Sequence, residues 1–235
     1  MAPIFQSAAL CFMALCGLKS AHAAGGGGGS AASPTPVAAG DDVYLALNLA
    51  RRGRLAVRLN ALTKQQTLVD SLLKSIPTTV GNDCGKIDSV TSQTASGFVA
   101  TFTTEPNYKK LVQDALSAAL KKMTKYPTDD KFNVAPWTDA EVANILHVLS
   151  SASTEVGCAV TTKCASKQLL VCQMNPKLGT GAPFSEEFFK ALQSRSDSIE
   201  DMTEADLKTG SNSGIVAVPS VLFAGLVAML ATAAA

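Results

Sequence analysis

Three cysteines crowd into one short stretch, Thr154-Glu-Val-Gly-Cys158-Ala-Val-Thr-Thr-Lys-Cys164-Ala-Ser-Lys-Gln-Leu-Leu-Val-Cys172-Gln-Met-Asn-Pro176, and they restrict the chain more than any other feature. Two β-rich runs, Glu155 to Thr161 and Gln168 to Gln173, flank a polar turn, so the stretch predicts a hairpin. If the hairpin is centred near Ala165, Cys158 and Cys172 face each other. Directly opposed positions on antiparallel strands bring side chains close enough for a disulfide. Cys164 then sits at the turn, free to take Cys84, so the expected bridges are Cys158–Cys172 and Cys84–Cys164. A metal cluster is the competing use of these residues. Spacings of 6 and 8 residues between the three cysteines differ from the close pairs of zinc sites.

Compartment decides between the two uses, and both ends of the 235-residue chain resemble processing signals. Residues 1–23 have the pattern of a signal peptide, with an apolar run from Pro3 to Leu18 and the small residues Ala21-His22-Ala23 before cleavage. That segment removes Cys11 and Cys16 and leaves four cysteines in an exported chain, where bridges persist. Residues 24–40 are almost entirely Gly, Ala, Ser and Pro, a composition expected to form a flexible leader. At the other end, small residues at Gly210-Ser-Asn-Ser-Gly214 precede an apolar tail that ends without a charge. A spanning helix normally carries a polar or basic stop, so residues 210–235 are expected to be a glycosylphosphatidylinositol (GPI) signal, with attachment at Ser211, Asn212 or Ser213. An uncleaved transmembrane helix is the other reading, and either puts the protein at the cell surface. Residues 41–209 remain as one domain.

Within that domain, Asp41 and Asp42 can cap a helix carrying Val43, Leu47 and Ala50, with Arg51, Arg52, Arg54 and Arg58 as a solvated basic end. Thr63-Lys-Gln-Gln66 matches a capping box for a second helix that should stop before Pro77, followed by a polar loop to Ser96 containing Cys84. Phe98 to Thr104 alternates as a strand with Phe98 and Phe102 inward. Asn107 can cap a helix with a stripe at Leu111, Ala115 and Ala118 or Ala119. Thr138-Asp-Ala-Glu141 predicts another capping box, with Trp137 stapled to Val142. Ser185 can cap a helix holding Phe188, Phe189 and Leu192, and Thr203 a short one.

The Thr154–Val160 and Leu170–Pro176 segments resemble the paired late strands of the CAP superfamily, the cysteine-rich secretory, antigen 5 and pathogenesis-related-1 proteins. Asn48-Leu-Ala-Arg51 is similar to the N-x-x-R part of that family's first helix. With the terminal signals, the pattern resembles the coccidian, Eimeria-type surface antigens. The resemblance implies an α+β fold, a three-layer α-β-α sandwich with a central antiparallel sheet, and it also implies the Cys158–Cys172 bridge. Many CAP proteins hold a cation with two histidines and two acids. Those histidine positions fall on Leu47 and Asn144 here.

Chemistry finds little else to use. His147 is the only histidine beyond the signal peptide, and G-x-S-x-G, H-E-x-x-H and C-x-x-C are absent from the sequence. The acid pairs Asp129-Asp130 and Glu186-Glu187 have the character of solvated or helix-starting residues. A net charge of +1 provides no field for gathering nucleic acid. The expectation is therefore a GPI-anchored parasite surface antigen, not an enzyme, with no cofactor, no metal site and no nucleic-acid partner. Its partners would be a host-cell surface or antibodies. The alternative is a CAP-type binding module for a small apolar ligand such as a sterol or lipid.

Overall fold

A computed structural model describes residues 33–208, apart from residues 104, 129–130 and 165–166. The segments expected to be a signal peptide and a GPI signal, with the attachment candidates Ser211, Asn212 and Ser213, lie outside the described residues. Among those described, no helix is long and apolar enough to cross a membrane.

The cysteine stretch forms the centre of the fold. Strands β4 (Glu155–Thr162) and β5 (Gln168–Asn175) pair antiparallel with Cys158 opposite Cys172. Strand β3 (Gly97–Phe102) pairs antiparallel with the outer side of β5. On the outer side of β4, β1 (Thr35–Ala38) and the two-residue β2 (Thr63–Lys64) lie end to end, β1 antiparallel and β2 parallel. The sheet order is β1-β4-β5-β3.

Alternation along these strands divides the apolar residues between two faces, because successive side chains point to opposite sides. Val156, Cys158, Val160, Leu170, Cys172 and Met174 join Phe98 and Phe102 on one face. Helices α1 (Asp41–Arg52), α4 (Tyr108–Lys122), α5 (Ala140–Leu149) and α6 (Glu186–Ser194) cover that face. Ala159, Leu169 and Val171 face the other way, under α2 (Gln66–Val80), a 3₁₀ turn (Cys84–Ser89) and the short α3 (Ser92–Ala95). The result is the expected α+β, three-layer α-β-α sandwich. Both cores lie between Ala39 and Met202, and so do both disulfides.

At Gly157 the lower layer comes unusually close. A Cβ placed there would clash with Leu68 and lie 2.6 Å from the Val69 backbone nitrogen, so α2 rests directly on the backbone of β4. The absence of a side chain permits this approach.

Several local expectations need correction. The leader assigned to 24–40 ends sooner, because Thr35–Ala38 acquires a full set of cross-strand partners from β4, and these outweigh its low-complexity composition. Thr63 belongs to β2 rather than to a capping box, and Gln65 is the residue preceding α2. Helix α2 runs through Pro77 to Val80. Proline removes only one donor there, the Gly81 amide closes on Pro77 O at 2.8 Å, and the added turn buries Val80 completely. The polar stretch after it contributes Ile87 and Val90 to the second core. In α4 the buried stripe is Val112, Leu116 and Ala119, one residue on from the expected phase. The residue before α5 is Asp139, with no side-chain cap, and Lys122 pairs with Asp139 and Glu141 instead. Trp137 lies in an aromatic cluster with Tyr126, Phe132, Phe184 and Phe189. Asn107, Ser185 and the Thr203 box cap their helices as the sequence suggests.

Candidate functional site

The position most worth testing for chemistry is where the resemblance puts a cation. Leu47 is fully buried in the first core. Asn144, on α5, turns to the open edge of β3. Its Oδ1 accepts from Val99 N at 2.8 Å while its Nδ2 donates to Val99 O at 2.8 Å. The amide imitates a further strand and fills one unpaired position of the sheet edge. Both of its polar atoms are thereby engaged.

Beside Asn144 lies an open, polar cleft of about 300 Å³, edged by Asp88, Thr91, Ser92, Thr101 and Glu141. Its two carboxylates are neutralised from within the chain. Lys167 Nζ reaches Asp88 at 2.6 Å and Lys122 Nζ reaches Glu141 at 2.9 Å. Among the described residues, no three His, Cys, Asp or Glu side chains converge closely enough to share a metal ion. The cleft can admit polar ligands, but these residues do not form a cation-binding donor set.

The N-x-x-R pair is structural. Asn48 makes a two-way bond with Leu62, Oδ1 accepting from its N–H at 2.7 Å and Nδ2 donating to its carbonyl at 3.0 Å. Arg51, read from the sequence as part of a solvated basic end, is completely buried. Its Nε donates to Asn60 O at 2.9 Å, Nη1 to Val148 O at 2.6 Å and Ser150 O at 2.8 Å, and Nη2 to Ser153 O at 3.0 Å. Two of those carbonyls lie at the C-terminal end of α5, the negative pole of that helix's dipole. Burial lowers the guanidinium pKa to about 10. Arg195 repeats the arrangement at the end of α1, donating to Leu49 O and Ala50 O, with its pKa likewise lowered by burial to about 10. Arg54 and Arg58 tie down the last described turn, Arg54 bonding Asp206 at 2.8 Å and Arg58 donating to Leu207 O.

His147 sits half-buried on α5 with its Nδ1 unpartnered among the described residues. Burial, and secondarily Lys177, depresses its pKa, so the neutral imidazole is favoured. Glu186 pairs with Lys190 at 2.8 Å, and Glu187 is held ionised by backbone and Ser185 bonds at the start of α6. Asp129 and Asp130 lie outside the described residues.

The cysteines form two bridges, Cys158–Cys172 across the hairpin and Cys84–Cys164 tying the 3₁₀ turn to the turn after β4. Tyr44 Oη, at 3.2 Å, accepts from Cys158 N next to the first bridge. Two further spaces occur among the described residues. A cavity of about 100 Å³ lies between α2, α3 and the sheet, and a cleft of about 210 Å³ lies beside Trp137, Leu146 and Leu178. Sites that enclose drug-sized ligands usually measure about 300–1,000 Å³. Sequence reasoning missed the first cavity, because its walls come from four separate segments.

The chain matches no protein-family model and no curated protein. Among solved structures it is similar to the Eimeria tenella surface antigen protein SAG19, with a TM-score of 0.55 and 23% identity over 69% of this chain and 98% of that one. The two share a fold. The hookworm platelet inhibitor is more distant, at TM-score 0.40 and 16% identity over 60% of this chain and 71% of the other. Na-ASP-1 gives 0.31 and 14% over 57% and 34%. The mixed α+β architecture with two disulfides agrees with the fold class expected from the sequence.

Proposed function

We propose that the chain is a GPI-anchored surface antigen that acts by contact with host cells or antibodies and performs no catalysis. The observation that carries this reading is the fold shared with SAG19, which extends over nearly the whole of that antigen. It is supported by the residues at the two family cation positions. Leu47 offers no donor, and Asn144 spends both of its polar atoms on Val99. The terminal signals in the sequence supply the surface address.

Two measurements test the proposal. Intact cells treated with phosphatidylinositol-specific phospholipase C should release the protein into the medium, and retention on the cells after treatment would refute the anchor. The folded protein should bind host cells saturably. Binding no greater than that of an unrelated disulfide-rich domain would refute the attachment role.

A further inference from the structure

The cavity of about 100 Å³ on the second face of the sheet has the makings of a ligand site. Its walls are Leu72 and Ile76 from α2, Val90 from the stretch after the 3₁₀ turn, and Leu169 and Val171 from β5. The hydroxyls at its rim spend their protons internally and keep lone pairs able to accept. Ser75 Oγ donates to Leu72 O at 3.4 Å, Thr79 Oγ1 to Ser75 O at 3.0 Å and Thr94 Oγ1 to Thr91 O at 3.0 Å. Gln173 adds an amide. It shares the sheet face of Leu169 and Val171, and its Nε2 donates to Ala95 O at 2.9 Å. That bond orients the amide and leaves Oε1 with no hydrogen-bond donor among the described residues. The site therefore offers an uncharged space, part hydrocarbon and part hydroxyl and amide, in which Gln173 Oε1 is an acceptor without an internal donor.

We propose that this cavity binds a small neutral molecule combining a short hydrocarbon with a single hydrogen-bond donor, such as a short-chain primary alcohol. Size sets the upper limit. An apolar protein cavity of roughly 150 Å³ takes up benzene, with its six non-hydrogen atoms, so a space of about 100 Å³ suits about four or five. A sterol or a full acyl chain is too large. Polarity sets the orientation, with the hydrocarbon between α2 and β5 and the hydroxyl donating to Gln173 Oε1. The site is separate from the polar cleft at Asn144 and does not depend on the surface-antigen reading.

Two isomeric probes test this on the folded protein, 1-butanol as donor and diethyl ether without one. Methyl NMR should show saturable shifts at Leu72, Ile76, Leu169 and Val171 with 1-butanol, and at least fivefold weaker affinity for the ether. Gln173→Leu should reduce that preference. Ala95→Leu, which adds bulk at the wall, should weaken 1-butanol at least tenfold; Ile76→Phe provides a second filling variant should the first misfold. Absence of saturable shifts in the unmodified protein, equal affinity for alcohol and ether, or shifts centred on the Trp137 cleft would each overturn the proposal.

Discussion

Replacing Arg51 by Met tests the most consequential structural assignment made here. The substitution keeps most of the side chain's length and apolar stem but deletes a guanidinium that donates to four carbonyls, on Asn60, Val148, Ser150 and Ser153. Buried ionic groups can sometimes be exchanged for apolar ones at little cost, provided all partners are exchanged together. That route is closed here because every acceptor is main chain. Hydrogen bonds to a charged group contribute about 1.5–3 kcal/mol each, but four bonds to one guanidinium are not additive. The measured penalty for stripping one side of a buried charged contact, about 3–5 kcal/mol, is the better guide. A domain of this kind is stable by about 5–15 kcal/mol, so the loss is a large share. Arg52→Met is the matched control, since Arg52 is half-buried and makes a single bond, to Leu59 O at 2.9 Å. It should cost under about 1 kcal/mol. Equilibrium unfolding in guanidinium chloride with both disulfides intact measures the difference. Arg51→Lys should fall between the two, because an ammonium cannot reproduce the planar fork. If Arg51→Met costs no more than Arg52→Met, the buried guanidinium does not hold the end of α5 and the assignment fails.

Four further outcomes are expected. Gly157→Ala should lose about 1–3 kcal/mol, measured by the same unfolding assay, because the added methyl pushes α2 away from β4. Removing Cys84–Cys164, whose partners are 80 residues apart, should cost more than removing Cys158–Cys172, 14 residues apart. Loop-closure estimates are about 4–5 and about 3 kcal/mol, so paired Cys→Ser variants compared by midpoint will rank them. His147 has a depressed pKa when folded, so the unfolded chain takes up the proton first. Stability contributed by His147 should therefore be complete above the ordinary histidine pKa of about 6.5 and decline as pH falls below it. His147→Gln should flatten that part of a thermal-unfolding pH series. Asn144→His should gain no zinc affinity in calorimetry while losing about 1–3 kcal/mol of stability, because Val99 would lose its two-way partner.

The sequence made some features legible and hid others for physical reasons. A strand alternates with a period of two, so the β4–β5 register follows once the turn is located, and that register puts Cys158 opposite Cys172. The caps at Asn107, Ser185 and Thr203 are visible because their partners are three residues away. Arg51 is opaque because its main acceptors lie 97 to 102 residues along the chain. Among neighbouring arginines nothing local distinguishes the buried one. Strand β1 is hidden for a related reason, since Thr35–Ala38 derives its conformation from β4 and not from its own composition. The α4 stripe slipped by one residue because Ala115, Ala118 and Ala119 allow two helical phases, and only packing against α1 and α5 selects one. At the candidate site, the sequence shows Asn144 where the resemblance would put an imidazole. The engagement of that amide by the β3 edge could not be read from it.

The two disulfides also determine what a protease can achieve. One ring spans Cys84 to Cys164 and the other Cys158 to Cys172, so the rings overlap between Cys158 and Cys164. A single cut anywhere between Cys84 and Cys172 therefore leaves one covalent molecule, including a cut after Lys125, which lies in the connection between α4 and α5. A nicked copy would stay whole until its bridges were reduced.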